Sequence, residues 1–428
     1  MIRRVFVSGY KSLGRVELEL HPLTVIIGPN AAGKSNLFDA LHLLSRIVTS
    51  RSLADAFSNH RGDPLEAFDY SEGGIQALLE KTEAEFSIEV DVGLSDEAIE
   101  QAERLIHAHR TGGQDNAESK PRRITERWIR YRVTVAISPR TGVLRVKDEY
   151  LAALAKKNDG QLRPSEHRLP FLERVGERLR LRIEGQSRPM EYETGLTYAV
   201  VSQPVHPPHH PHLIAFREEV SRWQFYYFEP SLMREESPVK EARQLSTFGG
   251  DLAAFYYTLK LAQPRQFDNL QRTLRSMIST VENIDAELTQ EGKVRLKIRE
   301  RGVDFSAKVI SEGTLRILGL LAILSPTNPA TVVSFEEPEN GVHPRRLQLI
   351  AEMLRIASEH RQIIINTHSA LLPDYLESSH LVRCHKDGGH SSFEPLTQAI
   401  GLLSKPAAEA ALAETIPVSE RILQGYFE

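Results

Sequence analysis

Gly28-Pro29-Asn30-Ala31-Ala32-Gly33-Lys34-Ser35 stands between an apolar run, Leu23-Thr24-Val25-Ile26-Ile27, and a helical pattern that begins near Ser35. That pattern sets Leu37, Ala40, Leu41 and Leu44 on one face. Strand, glycine-rich turn and helix in this order make a phosphate-binding loop. Gly28 and Gly33 permit close backbone approach, the loop N–H groups turn inward, and the helix sets its positive end beneath a bound anion. Lys34 is placed to reach β and γ phosphates and the Ser35 hydroxyl to hold Mg²⁺.

Around this loop the composition is that of a folded soluble protein: 428 residues, 41% hydrophobic and 26% charged. No apolar run approaches the roughly 20 residues of a bilayer span, and Met1-Ile-Arg-Arg-Val-Phe-Val lacks the core of a signal peptide. Cys384 is the single cysteine, so an internal disulfide framework is excluded. A cytoplasmic protein with no membrane partner is expected. The net charge of −4 is unevenly spread, because Lys120 to Ile183 holds 17 Lys and Arg against 7 Asp and Glu. This window suits either a solvated β surface or a contact for phosphate backbones.

Val5 to Ser8 and Val16 to Leu20 read as two strands around a turn. From about Ser50 to Trp223 the pattern is mostly alternating, in Phe86–Val92, Trp128–Val135 and Leu179–Ile183, which predicts strands with one wet face. Pro139-Arg140-Thr141-Gly142 predicts a hairpin into Val143–Val146. Residues 111–121 read as a mobile loop. His206, His209, His210 and His212 invite a metal reading, but the interleaved prolines and the lack of a neighbouring acid or thiol favour a surface loop. Asp251 to Leu261 and Phe267 to Val281 read as helices, Val294–Ile298 and Val303 to Val309 as strands.

A second block of chemistry follows. Ile310-Ser311-Glu312-Gly313-Thr314 opens a helix running to about Leu324, with Ser311 as N-cap and Gly313 leaving backbone exposed at the first turn. Thr331-Val332-Val333-Ser334-Phe335 reads as a buried parallel strand, ending in Glu336-Glu337-Pro338-Glu339-Asn340-Gly341-Val342-His343-Pro344. An acidic pair at the end of such a strand is costly without a compensating cation, and Mg²⁺ on a triphosphate supplies one. Glu336 is placed to hold the metal through water, and Glu337 to orient and deprotonate an attacking water. Arg345 to Glu359 then forms a crossover helix and Gln362–Asn366 another buried strand, ending at Thr367-His368-Ser369. Parallel strand ends gather on one edge, so His368 can approach the γ-phosphate. The Ser311 helix start is directed away from its own loop, toward a nucleotide on another subunit.

These residues resemble the ABC-type ATPase heads of the RecF, SMC and OLD group: GPNAAGKS at 28–35, ISEGT at 310–314, FEEPENGVHP at 335–344 and NTHS at 366–369, in that family's order. The resemblance covers roughly 1–50 and 225–385. It implies an α/β fold, a P-loop NTPase head of the ABC type with an antiparallel β-rich lobe inserted at 51–224, and a C-terminal strand and helix extension at 386–428. It implies ATP and Mg²⁺ as cofactors, and a homodimer or higher oligomer in which two heads sandwich two ATP molecules head to tail. Carried over, Lys34, Ser35, Glu336, Glu337 and His368 act in cis, with Asn36 beside the loop, while Ser311, Glu312 and Gly313 face the partner's nucleotide.

Departures are present. Glu312 and Thr314 replace the Gly and Gln of many transporters, Glu336 replaces the commoner Asp, and Phe225-Tyr226-Tyr227-Phe228 leads into Glu229-Pro230 where the family's glutamine is expected. Tyr10-Lys11-Ser12 matches the base-facing loop only loosely. The coiled coil of SMC proteins and the Asp-x-Asp of a TOPRIM nuclease are absent from the sequence. The resemblance implies an ATPase that couples hydrolysis to DNA engagement in repair or maintenance. The alternative is a regulatory subunit of an anti-phage module, controlling a separately encoded nuclease or effector. An ABC transporter subunit is disfavoured by the EEPEN sequence and the β insertion.

Overall fold

A computed structural model describes residues 1–58, 60–111, 124–157, 160–396 and 417–423. Two compact units emerge: Met1–His21 with Ala31–Trp223 and Cys384–Phe393, and Pro22–Asn30 with Gln224–Arg383 and Glu394–Glu428. Of the segment read as a loop, 112–121 lies outside the described residues, as do 397–416 and 424–428 of the C-terminal extension.

Alternation builds the first unit. Ile2–Tyr10 and Leu13–Glu19 form the expected hairpin. Ile2–Tyr10 also pairs antiparallel with Ala84–Gly93, which pairs with Trp128–Ser138, and that in turn with Val143–Lys156. Shorter strands at Leu162–Pro164, Leu172–Val175, Arg178–Leu181 and Met190–Glu193 complete a nine-stranded sheet. The predicted turn closes with Ser138 opposite Val143 and Gly142 at φ 70°. Period two sends Tyr131, Val133 and Val135 inward, fully buried. There Tyr131 meets Phe216 of the helix Pro211–Ser221, ring centres 5.0 Å apart.

The opposite face carries the basic window as paired charges. Arg130 makes two hydrogen bonds, 2.6 and 2.7 Å, to Asp91, its cross-strand partner. Arg132 reaches Asp148 at 2.9 Å, Lys147 holds Glu83 and Glu85, and Arg127 reaches Asp96 at 2.7 Å. Arg178 and Arg180 share Glu191. Several of these carboxylates lie outside the window in sequence, so a linear charge count overstated the positive field that the sheet presents.

The histidine segment is corrected. His210 and His212 are buried. The His212 ring stacks on Phe171 with centroids 4.8 Å apart. Its Nε2 accepts from the Thr125 and Glu126 amides, so Nδ1 carries the proton it donates to Glu184 at 2.7 Å. Proline opens the helix Pro211–Ser221, of which Pro211 to Phe216 are all buried.

A fully buried carboxyl in the same unit carries a pH prediction. Glu149 accepts from the Val200 and Val201 amides at 2.6 and 3.0 Å and from the Tyr131 hydroxyl at 3.0 Å. Burial nevertheless pushes its pKa up to about 7, against the pull of those donors. The unfolded chain releases this proton near the ordinary carboxylate value, so the group's contribution is fully present in acid. It is lost as pH rises through about 7. Urea unfolding of wild type and Glu149→Gln at pH 5 and pH 8 should show the wild type losing on the order of 3 kcal/mol more than the variant. Equal losses would remove the titration from Glu149.

The second unit is assembled on parallel strands. Val332–Glu336, Gln362–Thr367 and Leu23–Ile27 follow one another in its sheet. The two central pairings, among Val332–Glu336, Gln362–Thr367 and Leu23–Ile27, are parallel. Leu23–Ile27 and Gln362–Thr367 are buried at every residue, as strands covered on both faces must be. The helices Glu312–Ile323 and Leu347–Ser358 supply Leu315, Leu318, Ile350 and Leu354 to the same core. Two expected boundaries move. The helix from Pro264 ends at Met277 because Val281 starts a strand, Val281–Leu288, paired with Lys293–Glu300. The strand from Val303 ends at Ser306, and Ala307–Val309 turns as a short 3-10 helix.

Candidate nucleotide-binding site

Strand register decides what shares the sheet edge. Ile27 lies opposite Thr367, and Asn366 opposite Glu336. Therefore Gly28, Glu337 and His368 each follow directly from aligned strand ends within the second unit. Glu337 stands at φ 49°, unusual for a side chain of its size. Its N–H donates to the Asn366 carbonyl at 3.1 Å and to Asn366 Oδ1 at 3.2 Å. Asn340 Nδ2 donates to Oε2 at 3.2 Å, and His368 Nε2 lies 3.2 Å from Oε1. About one third of each side chain of this pair stays exposed, so the carboxylate is aimed yet reachable by water. Glu336 ends its strand half-buried.

Sequence reasoning missed the residues that hold this edge. Glu339 Oε1 accepts from Thr367 Oγ1 at 2.5 Å and from the His368 and Ser369 amides at 3.2 and 3.1 Å. Burial pushes the Glu339 carboxyl up, while these donors favour its charged form. With Asn366 and Asn340 it fixes the turns on which His368 and Glu337 sit. The available signal was a third acid and an amide in EEPEN, two and three residues past Glu337.

The loop itself alternates backbone hands, with Gly28 at φ 153°, Ala31 at φ 61° and Gly33 at φ 101°. Such alternation turns successive N–H groups to one side. Pro29, Asn30 and Ala31 are exposed, and Ala32 and Lys34 are buried. Gly33 occupies the N-cap of the helix Lys34–Thr49, whose first turn has no side-chain cap and no acid. An anion at this helix start would therefore meet no acidic side chain of the first turn. Ser35 is half-buried at the second helical position. Asn36 Nδ2 donates to Ser12 Oγ at 2.7 Å, which makes it a support of the loop. A glycine-rich loop followed by a lysine in an acid-free first helical turn fits the phosphates of a nucleoside triphosphate.

At the second block, Ser311 is the N-cap as expected, accepting from the Thr314 amide at 3.2 Å, and the helix spans Glu312–Ile323. Ser311 and Glu312 are exposed. Gly313 is buried, which corrects the expectation of open backbone there. A Cβ on it would fall 2.1 Å from the Gly341 carbonyl oxygen, so the residue is small because two backbones cross. At Glu229, before the helix Pro230–Met233, the carboxylate accepts from Ser231 Oγ at 3.0 Å.

A family profile described as "AAA domain, putative AbiEii toxin, Type IV TA system" matches residues 23–135 and 180–374. The chain belongs to this family. Its matched ranges include the phosphate loop, the acidic strand and His368. No curated protein matches the chain. Among solved structures, this AAA protein is similar to the Smc head bound to the C-winged helix domain of ScpA, at 13% identity and a TM-score of 0.54, covering 93% of this chain and 99% of that one. It is also similar to an Smc head with an extended coiled coil bound to the C-terminal domain of ScpA, from Pyrococcus furiosus, at 11% identity and a TM-score of 0.51, covering 94% and 98%. The fold is that of an SMC-type P-loop NTPase head, as the RecF, SMC and OLD resemblance implied. Among the described residues no helix is long and apolar enough to cross a membrane.

Proposed function

We propose that this AAA protein is an ATPase whose two heads close on ATP and part after hydrolysis. The carrying observation is the Glu337 carboxylate, held by Asn340 and His368 on a left-handed backbone at the sheet edge from which the phosphate loop departs. A strained residue kept by surrounding bonds is the signature of a functional position. The loop amides, Pro29 excepted, would supply backbone donors and Lys34 would neutralise the β and γ phosphates, while Ser35 and Glu336 are the residues that would hold Mg²⁺, which would offset phosphate charge. Glu337 orients water and takes its proton, and His368 keeps that carboxylate aimed. Ser311 and Glu312, exposed where their helix begins, face the nucleotide of a second copy. Phosphate release and particle size of Glu337→Gln, with and without ATP, test the reading.

For the output, the pairing of the basic face favours control of a partner protein over direct grip on DNA. Arg127, Arg130, Arg132 and Arg180 each hold a carboxylate, so gripping phosphate would first break an ion pair. The family's description, which names a toxin system, supports an effector-linked module. Fluorescence anisotropy with duplex DNA at low salt should show weak binding that Arg127→Gln/Arg180→Gln leaves within about twofold. A steep salt dependence that flattens in this double variant would restore the DNA-engaging reading.

A further inference from the structure

The strand His390–Pro395 lies far from the phosphate loop in sequence, and none of the motifs above includes it. In the first unit it touches that loop from behind. Ser391 is 3% exposed, and its hydroxyl donates to the Ala32 carbonyl at 2.6 Å. The same oxygen lies 2.6 Å from Ser12 Oγ, which accepts from Asn36 Nδ2 at 2.7 Å. The Ser391 amide donates to the Ser12 carbonyl at 2.8 Å. A Cβ on Gly33 would fall 1.9 Å from Ser391 Oγ and 2.6 Å from Ser12 Oγ, so these hydroxyls fill the space that Gly33 leaves.

Peptide geometry turns this contact into a functional one. In a planar trans peptide the carbonyl and the next N–H point in opposite directions. A hydroxyl that holds the Ala32 carbonyl therefore sets the direction of the Gly33 N–H, on the side away from Ser391. The neighbouring His390 anchors the strand, with Nε2 2.8 Å from Asp69 Oδ2 and 2.9 Å from Ser71 Oγ, its ring lying over Gly14. Both contacts use one ring nitrogen, so this Ser, His and Asp set is an anchor and lacks the relay of a nucleophilic triad.

We propose that Ser391, with Ser12 behind the loop, is a positioning residue for triphosphate binding, clamping the Ala32–Gly33 peptide so that its amide faces the anion. The inference rests on the ATP reading above. Ser391→Ala should raise the Kd for Mg-ATP by about tenfold, the worth of one aimed hydrogen bond, while kcat at saturating ATP falls by less than about threefold. Adenosine, which lacks phosphates, should bind wild type and variant alike. Ser391→Thr, which keeps the hydroxyl, should recover most of the affinity, and Ser12→Ala combined with Ser391→Ala should weaken binding by less than the product of the single effects. Unchanged Mg-ATP affinity in Ser391→Ala, with wild type binding normally, overturns the clamp and leaves the ATPase intact. Equal weakening toward adenosine also overturns it, as does a Ser391→Thr protein no better than Ser391→Ala. Should Ser391→Ala fail to fold, Ser12→Ala and Ser391→Thr decide the matter by the same ratio of ATP to adenosine affinity. Wild type that binds no Mg-ATP at all sinks the ATP reading and the clamp together.

Discussion

Glu337→Gln protein should bind Mg-ATP, release phosphate about 10² to 10⁴ times more slowly than wild type, and run as a dimer only when ATP is present. The amide keeps the shape of the carboxylate and can still accept from Asn340 Nδ2, so the edge and its left-handed backbone persist. What it lacks is a basic oxygen for the proton of an attacking water. With cleavage blocked, the ATP-bound pair of heads has no exit, and light scattering should find it. Thermal stability should stay close to wild type, because the change is confined to a side chain that is one third exposed. Undiminished hydrolysis would place the base elsewhere. ATP binding without association would remove the paired heads from the account and leave a nucleotide-binding monomer.

An equal mixture of Ser311→Arg and Lys34→Ala proteins should recover about a quarter of wild-type hydrolysis, although each protein alone is nearly inactive. In a head-to-tail pair, the Ser311→Arg copy contributes an intact phosphate loop and the Lys34→Ala copy an intact serine helix, so one site in each mixed dimer is whole. Ser311 is also the cap of its helix, and its loss alone costs roughly 0.5 to 2 kcal/mol. Ser311→Asp separates the two effects, since aspartate caps as well as serine but sets negative charge against a partner's phosphates. A mixture no more active than its parts, or a Ser311→Arg monomer that cannot bind nucleotide, would assign the serine to its own chain's site.

Much of the second unit was legible because its signals are local. Leu23–Ile27, Val332–Glu336 and Gln362–Thr367 read as buried strands from unbroken apolar runs, and Ser311 as a cap from its place before a helical pattern. Gly313 was misread because the same residue serves open backbone and crossed backbones, and only its neighbour Gly341 tells them apart. The carboxylates that face the basic window were out of view for a related reason. Arg130 and its carboxylate, Asp91, are joined by strand register across a long interval of sequence. His210 and His212 looked solvated by composition, yet both are buried at the start of the helix Pro211–Ser221.

By itself the sequence determined that Leu23–Ile27, Val332–Glu336 and Gln362–Thr367 are buried strands, and it singled out the turn and side chains proposed to handle a triphosphate, since these readings depend on periodicity and on the chemistry of adjacent residues. Tertiary structure alone decided that Glu337 is held by Asn340 and His368, that Glu339 secures the neighbouring turn, and that Ser391 reaches the Ala32 carbonyl. Those contacts join distant parts of the chain through strand pairing and packing, and the identity of a residue does not encode the partner that folding brings to it.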